Sequence, residues 1–352
     1  MCYNQFHEFY RTINLIYEVD GVEQDMRYIM EIAQDGSFSK AAERLYMTQP
    51  ALSIAVKRVE SALGAEIFDR SRHPMELTEA GQVYLDAARR VRDLERELAA
   101  QVEDLRNLQT GTLHLGGTHY LNNYIMAPVL AGFTKKYPRV QLLVTEDSSA
   151  GLIDALKQNA VDLILSCDPE LLQSFQHRPA FYDHILLAVH KEIPIDRDLE
   201  NAALSASDIM AGKHTGSASR CVSLARFQEL EFILLQSGNN LYDRSRAMFD
   251  QAGFAPKIKL TLAQMVTTYR FANNGLGAVF ISDRLVRSPR SNLRFFRLDS
   301  ALTSRLFHFV LPERNYTSFA TRTFMEFAAQ RVFHLDSVRL TEAYRQLDRI
   351  RE

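Results

Sequence analysis

Residues 36–64, GSFSKAAERLYMTQPALSIAVKRVESALG, place two short helical patterns on either side of a tight polar junction. In the second pattern, apolar side chains recur at the spacing of one buried helix face, at Leu52, Val56, Val59 and Leu63. Thr48 can cap this helix, Pro50 is tolerated in its first turn, and Gly64 can end it. The pattern predicts a helix over 48–63 that buries only one of its faces.

The residues before this helix predict two more helices. Apolar residues at helical spacing indicate a first helix over 27–34, which Gly36 stops because glycine adopts positive φ without strain. Ser37 or Ser39 can cap a second helix around 41–45, where small alanines let another helix approach closely. A helix, a tight turn and a further helix form a helix-turn-helix.

The polar face of the predicted helix 48–63 carries groups that suit DNA bases. Gln49 can bond adenine through two hydrogen bonds, Ser53 can bond several bases or a phosphate, and Ile54 can touch a thymine methyl group. The free N–H groups at the helix start suit a phosphate oxygen. An ordinary helical hairpin with a solvated polar face explains the periodicity equally well, so both interpretations stay open at this point.

The next stretch, GAEIFDRSRHPMELTEAG, favours the DNA interpretation. It has apolar residues before and after a basic turn, which predicts two short strands that form a wing. Arg70 and Arg72 of that turn would reach backbone phosphates or the minor groove. Taken alone, two such arginines are more often solvated surface charges. Directly behind a helix-turn-helix, the DNA-contacting role becomes the better interpretation.

The run from SFSKAAERL through TQPALS, IFDR and LTEAG resembles the winged helix-turn-helix of LysR-type transcriptional regulators, without gaps over about 55 residues. This resemblance implies DNA-contacting roles at the start of the recognition helix, along it and in the wing, for Thr48, Gln49, Pro50, Ser53, Lys57, Arg58, Arg70 and Arg72. Ile54 and Ala55 stand where such proteins often have Arg and Gln, which removes polar contacts.

Charge and composition neither require nor exclude DNA binding. The net charge is −2, and basic and acidic residues are balanced within 26–78, so the DNA interpretation depends on where the positive residues lie. Cys2, Cys167 and Cys221 have no metal-binding spacing, so we expect reduced structural thiols and no metal site, with a Cys167–Cys221 redox pair as the weaker alternative. The absence of a secretory pattern and of a long apolar run predicts a cytoplasmic protein.

Residues 79–109 contain no proline, and their apolar residues recur at threes and fours. A lone helix of about 45 Å cannot bury such a seam by itself. We therefore expect pairing with the same helix of a second copy, with packing along the chain's own C-terminal domain as the alternative. The resemblance agrees, because regulators of this family typically dimerise through this helix and often form tetramers.

After 110 the pattern changes to alternating strands and helices, which indicates a parallel α/β sheet. The family resemblance continues through APVLAGFTKKYPRVQLLV, DALKQNAVDLIL and NNGLGAVFIS, and it implies a two-lobed effector-binding domain like that of periplasmic solute-binding proteins. The predicted organisation starts with an extension of unknown role (1–25), a DNA-binding domain (26–83) and a linker helix (79–109). The effector-binding domain follows, with lobe I at 110–182 and 284–335 and lobe II at 183–283, and the chain ends in a tail (336–352).

Ligands of open α/β sheets bind beyond the carboxyl ends of strands. Polar residues at those positions are the predicted effector contacts: Thr118, His119, Tyr120, Ser148, Cys167, Asn239 and Gln264. The family places a Ser or Thr against the effector where Thr118 stands. The alternative for each residue is a cap or loop side chain that satisfies local backbone. Glu146 and Asp147 argue against a simple anion on that side of the cleft.

These features predict a sequence-specific transcriptional regulator whose activity changes when a small molecule binds between two α/β lobes. Its partners would be promoter or operator DNA, an effector and further copies of itself, with RNA polymerase as a further candidate. A cytoplasmic solute-binding module without a DNA role is the alternative. The sequence has no nucleophile elbow, Walker loop or HExxH motif, so we expect neither an enzyme nor a cofactor.

Overall fold

The computed structural model describes residues 22–72, 74–105, 111–216, 219–313 and 316–332. The chain divides into two units between Ala99 and Ala100. Of the predicted extension 1–25, residues 1–21 lie outside the described residues, as do 106–109 of the predicted linker, residue 110 and the whole tail 336–352. No helix in the described ranges is long and apolar enough to cross a membrane.

The N-terminal unit begins with three helices and a two-stranded wing. Its elements are α1 (Val22–Asp35), α2 (Phe38–Arg44), α3 (Gln49–Leu63), β1 (Phe68–Asp69), β2 (Glu76–Leu77) and α4 (Glu79–Leu105). Ser37 caps α2 and Thr48 caps α3, as predicted, and Gly64 ends α3 at φ 69°. The wing strands pair antiparallel. The predicted helix-turn-helix is therefore confirmed, although α1 begins before the predicted domain start at 26.

One apolar core holds this unit together. The predicted stripe of α3 contributes three buried side chains and α1 adds two, while α2 supplies two alanines and the wing two large side chains: Leu52, Val56, Val59, Ile29, Ile32, Ala41, Ala42, Ile67 and Phe68. Leu63, the fourth residue of the predicted stripe, is 49% exposed at the end of α3. Burying the stripe fixes which face of α3 points outwards.

Helix α4 leaves much of its apolar seam uncovered. Leu85 and Ala88 near its start are buried. Leu94 and Leu98 are 60% and 61% exposed, and Val102 is 39% exposed. The single chain therefore does not bury the repeat that the sequence places on this helix.

The second unit is built on an eight-stranded sheet and a separate strand pair. Its strands are β3 (Gly111–Gly117), β4 (Val140–Glu146), β5 (Leu163–Ser166), β6 (His177–His190), β7 (Cys221–Val222), β8 (Glu231–Leu235), β9 (Lys257–Leu262), β10 (Val279–Ser282), β11 (Leu293–Leu298) and β12 (Ser304–Val310). The sheet runs β4-β3-β5-β12-β6-β11-β7, with β10 also on β6, and β8 pairs with β9.

The helices of the second unit lie between these strands in the chain. They are α5 (His119–Leu121), a π-helical turn (Asn122–Met126), α6 (Ala127–Lys136), α7 (Ser149–Lys157), α8 (Pro169–Ser174), α9 (Arg197–Ala202), α10 (Ala206–Met210), α11 (Asn240–Ala252), α12 (Met265–Asn273) and α13 (Phe319–Val332). Strands and helices alternate over most of this unit, as the sequence pattern predicts.

The prediction of a parallel sheet was wrong for the centre of this unit. Strand β3 is parallel to β4 and β5, and β8 is parallel to β9. Strands β10, β11 and β12, however, all pair antiparallel with β6. Strand β6 is 14 residues long and passes from one predicted lobe into the other. Strands β10, β11 and β12 come back along it in the opposite direction.

A close contact at β3 brings the predicted site together. A Cβ atom at Gly116 would lie 2.8 Å from Cδ2 of Leu152 and 2.9 Å from Cγ2 of Ile164. The glycine therefore lets α7 and β5 pack directly against β3. As a result, the carboxyl ends of β3 and β5 and the start of α7 open onto the same space.

Candidate DNA-binding surface and effector cleft

The start of α3 presents polar groups to solvent. Oγ1 of Thr48 accepts a hydrogen bond from the N–H of Ala51 at 3.4 Å, which fixes the first turn. Gln49 and Pro50 are exposed beside it, and Ser53 is half-buried one turn later. Ile54 is 69% exposed, far more than a core isoleucine. The exposed face therefore carries the groups that the sequence analysis assigned to DNA contact.

Arg58 has a different environment from the other predicted contacts. Its Nη2 lies 2.7 and 2.8 Å from the two carboxylate oxygens of Asp25 in α1. Asp25 is only 2% exposed, and its burial raises its pKa while the hydrogen bond from Arg58 lowers it, with a net increase. Arg58 therefore fastens α3 to α1, a role that the resemblance did not suggest.

The two wing arginines are paired with nearby carboxylates. Arg70 lies 2.8 Å from Glu60 of α3, and its guanidinium lies 5.2 Å from the centre of the Phe38 ring. Arg72 lies 2.7 Å from Glu76, and both side chains are largely exposed. Arg72 can exchange this exposed partner for a phosphate at little cost, whereas Arg70 also stabilises the base of the wing.

Lys57 differs from the three arginines among the predicted DNA contacts in having no carboxylate partner within the described ranges. It is exposed on α3, and it forms no ion pair with any residue in the described ranges. Among the four basic residues of this surface, Lys57 can therefore bind a phosphate without giving up an existing partner.

The second unit brings all seven predicted effector contacts around two adjacent cavities. The cavities measure about 280 and about 350 Å³. Tyr120 and Cys167 line the first and His119 and Ser148 line the second, while three residues line both: Thr118, Asn239 and Gln264. These residues come from β-strand ends and helix starts that are far apart in the sequence. We call the two cavities together the effector cleft.

Among the seven predicted contacts, Thr118 and Gln264 are the two whose side chains make no hydrogen bond within the described residues. Each stands at the N-cap position of a helix, α5 or α12, but neither side chain makes a cap hydrogen bond. Ser148 and Asn239, in contrast, accept from the N–H of Gly151 at 3.1 Å and of Leu241 at 2.9 Å. The cap role considered in the sequence analysis thus describes Ser148 and Asn239 and does not describe Thr118.

Arg305 lines the first cavity and forms a buried ion pair with Asp183, which lies beneath the lining; we call this pair the floor of the cleft. Nη2 and Nε of Arg305 lie 2.6 and 2.9 Å from Oδ1 of Asp183, and both residues are buried. The hydroxyl groups of Tyr120 and Ser282 lie 2.6 and 2.7 Å from Oδ2 of Asp183. Burial and the neighbouring charge of Asp183 raise the pKa of Tyr120 well above its usual value, so it stays a neutral donor.

Asp183 and Arg305 were missed in the sequence analysis. Both lie inside otherwise apolar strands, in FYDHILLAVH and SRLFHFV. A single charged residue in a buried strand is costly unless it is paired, so this pattern could have pointed to the ion pair. Its partner could not be identified, because the pairing of β6 with β12 is not visible in the sequence.

The remaining predicted contacts are Cys167 in the first cavity and His119 in the second. Burial raises the pKa of Cys167, and its Sγ lies 3.3 Å from Oδ1 of Asn240, so it is a protonated donor rather than a reactive thiolate. Cys167 and Cys221 are both free thiols. At the rim, Nδ1 of His119 lies 3.1 Å from Glu146, and this hydrogen bond lowers the pKa of Glu146.

Two family models match this chain. The bacterial regulatory helix-turn-helix protein model of the lysR family matches residues 24–82, and the LysR substrate binding domain model matches 106–211 and 209–332. This chain belongs to the LysR family. It is a LysR-type DNA-binding transcriptional regulator with an effector-binding substrate domain. The alternative of a solute-binding module without a DNA role finds no support in these matches.

Known LysR proteins resemble the chain over most of its length. A probable RuBisCO transcriptional regulator of Cyanophora paradoxa is 28% identical over 310 residues, which cover 86% of this chain and 90% of the relative. The full-length structure of an OxyR variant from Pseudomonas aeruginosa has a TM-score of 0.60 at 19% identity, covering 90% of this chain and 96% of that one. Full-length CbnR with its target DNA has a TM-score of 0.55 at 17% identity, covering 88% and 99%.

Proposed function

We propose that this LysR regulator recognises an operator through the exposed face of α3 and responds to a small polar molecule in the effector cleft. Gln49 and Ser53 would contact base edges, and Lys57 would bind a phosphate. Thr118 and Gln264 would bind the effector. The observation that carries the effector proposal is that these two N-cap side chains are left without cap bonds and face the same cavities.

The lining of the cleft favours a neutral or cationic polar effector. Carboxylates line both cavities, with Asp168 and Asp243 in the first and Glu146 and Asp147 in the second. The positive charge of Arg305 is already matched by Asp183. Hydroxyl and amide groups surround these charges, so the cleft offers hydrogen bonds to hydroxyl or amino groups more readily than to an anion.

Self-association follows from the exposed seam of α4. Leu94 and Leu98 lie one helical turn apart on this helix and are mostly exposed in the single chain. Pairing two copies of α4 would cover them and would hold two α3 helices at half-sites about one turn of DNA apart. We propose a homodimer as the basic unit, with a tetramer as the higher assembly.

The regulator would act by binding and not by turnover, without a cofactor. Its proposed partners are promoter or operator DNA, the effector and its own copies, with RNA polymerase as a candidate partner on the promoter. Work on chromosomal DNA would place it in the cytoplasm. The CbnR structure with its target DNA supports the DNA part of this proposal through the shared fold.

The proposal is tested with purified full-length protein and the DNA upstream of its own coding region. We expect a sequence-specific, salt-sensitive mobility shift, and a change of that shift with one member of a panel of neutral and cationic metabolites. Thr118→Val keeps the side-chain shape and removes the hydroxyl, so it should abolish the response to the metabolite while the DNA shift stays. Equal binding to random and upstream DNA would refute the operator role.

A further inference from the structure

Three side chains outside the effector cleft converge on one point. They are His184 of β6, His214 of the 3₁₀ turn Lys213–Thr215 and Asp283, which follows β10. Nδ1 of His184 lies 3.2 Å and Nε2 of His214 lies 2.8 Å from the same atom, Oδ2 of Asp283. One potential ligand atom of each residue lies within 4.8 Å of the other two. Two imidazole nitrogens and a carboxylate oxygen are thus close enough together to serve as ligands of one metal ion.

Neighbouring groups orient the carboxylate and the two rings. Oδ1 of Asp283 accepts from the backbone N–H of His184 at 3.2 Å, which leaves Oδ2 facing the imidazoles. The two rings meet edge to face, at 77° with centroids 5.6 Å apart, so that both nitrogens point at the same oxygen. The His214 side chain is 5% and the Asp283 side chain 12% exposed. Contacts of this kind hold metal-binding carboxylates in place.

The tautomer of His214 is not fixed by a hydrogen bond at its second ring nitrogen. Its Nδ1 is buried and has no hydrogen-bond partner within the described part of the chain. In a histidine, the hydrogen bond made by one ring nitrogen decides which nitrogen carries the proton. Without such a bond at Nδ1, the ring can keep its proton there and present a lone pair at Nε2.

We propose that His184, His214 and Asp283 bind one divalent transition-metal ion of the zinc type. Imidazole nitrogen with carboxylate oxygen suits zinc, whereas magnesium and calcium prefer oxygen ligands alone. In a tetrahedral zinc site with bonds of about 2.0–2.2 Å, neighbouring ligand atoms lie roughly 3.3 Å apart. The separations of 2.8 and 3.2 Å to Asp283 are close to that value. Water supplies the fourth ligand.

The proposed metal site lies directly behind the floor of the effector cleft. His184 follows Asp183 in β6, and consecutive strand residues point to opposite faces of a sheet. Asp283 follows Ser282, whose hydroxyl donates a hydrogen bond to Asp183 of this floor. The ion would therefore connect β6, the end of β10 and the Lys213–Thr215 turn at the point where the two predicted lobes share a strand.

The test uses the untagged full-length protein, stripped with a chelator and titrated with zinc against a chromophoric competitor. We expect one zinc ion per chain and a higher melting temperature with zinc. Cobalt in place of zinc should give the intense visible absorption of a tetrahedral site. His184→Gln and Asp283→Asn should each weaken zinc binding by more than the roughly 10–100-fold that loss of an outer contact costs.

His177→Gln is the matched control. His177 and His308 form another histidine pair, with ring centroids 5.1 Å apart, and His177→Gln should bind zinc like the wild type. Equal zinc affinity of the wild type, His184→Gln and Asp283→Asn would overturn the proposal. If a variant loses its native circular dichroism, the wild-type cobalt spectrum decides: a tetrahedral band supports the site, and the spectrum of free aqueous cobalt rejects it.

Discussion

Two adjacent basic residues of α3 should behave in opposite ways when each is replaced by alanine. Arg58 pairs with the buried Asp25, whereas Lys57 is exposed and forms no ion pair in the described ranges. We expect Lys57→Ala to weaken DNA binding without affecting folding, and Arg58→Ala to destabilise the protein. Both replacements remove one positive charge from the same helix, so each is the natural control for the other.

The expected magnitudes follow from these environments. Loss of one phosphate contact lowers the slope of log K against log salt concentration by about 0.9 for Lys57→Ala. Removal of Arg58 leaves the Asp25 carboxylate buried without its partner, which costs roughly 1–3 kcal/mol of folding free energy at pH 7. Asp25→Asn in the Arg58→Ala background should restore part of that loss, because a neutral amide is less costly to bury.

The loss of folding stability in Arg58→Ala should depend on pH in a definite direction. The pKa of Asp25 is already above its usual value, and it should rise further when Arg58 is removed. A carboxyl with a raised pKa in the folded state favours folding below its unfolded pKa of about 3.9 and loses this contribution as pH rises. The destabilisation of Arg58→Ala should therefore be small near pH 4 and large at pH 7.

Urea unfolding at several pH values and mobility shifts at several salt concentrations measure both effects. A folded, stable Arg58→Ala variant with the same loss of DNA affinity and salt slope as Lys57→Ala would refute the structural role of Arg58. A Lys57→Ala variant with unchanged salt dependence would remove Lys57 from the DNA contacts.

Three further predictions concern specificity, the cleft floor and acid stability. Gln49→Ala should reduce discrimination at one base position by about 1–3 kcal/mol in competition binding, and equal losses on random DNA would contradict base recognition. Asp183→Asn leaves Arg305 buried and unpaired, so urea unfolding should show a loss of about 3–5 kcal/mol, and a loss below 1 kcal/mol would contradict the importance of the pair. Burial, with the nearby charge of His177, lowers the pKa of His308 to about 4, so the wild type loses folding stability as pH falls from about 6.5 to about 4. His308→Gln should lose less over that interval, which urea unfolding at pH 7 and pH 5 would detect, and an identical loss would contradict this source of acid sensitivity.

The helix-turn-helix could be predicted because its determinants are local. The caps Ser37 and Thr48, the stop at Gly64 and the buried stripe of α3 all act within a few residues of the chain. The exposed residues of α3 could be named for the same reason, since burial of one helix face exposes the other. The role of Arg58 could not be predicted, because Asp25 lies 33 residues away and approaches it only after α1 and α3 have packed.

The sheet shows the same division between local and distant information. The pattern after residue 110 indicated alternating strands and helices, but it did not show that β6 runs as one strand from His177 through Pro179 to His190. Its antiparallel partners β10, β11 and β12 arrive more than 80 residues later, as the pairing of Ser282 with Ile185 shows. Strand ends still predicted the cleft residues, because the carboxyl ends of β3 and β5 lie side by side in any sheet that contains the parallel β3–β5 pair.

The proposed metal site shows why sequence spacing did not predict a metal site, and it also predicts that zinc and the effector influence each other's binding. His184, His214 and Asp283 are too far apart in the sequence to form a metal motif, and only the return of the chain to β6 assembles them.

Asp183 and His184 are neighbours on that strand, one in the floor of the effector cleft and the other at the metal site. If zinc changes the position of β6, it must change effector affinity, and thermodynamic linkage requires the effector to change zinc affinity by the same factor. Titration of each ligand in the presence and absence of the other measures this factor twice. The two measurements must agree at equilibrium, and a factor of one would show that the two sites are independent in spite of their shared strand.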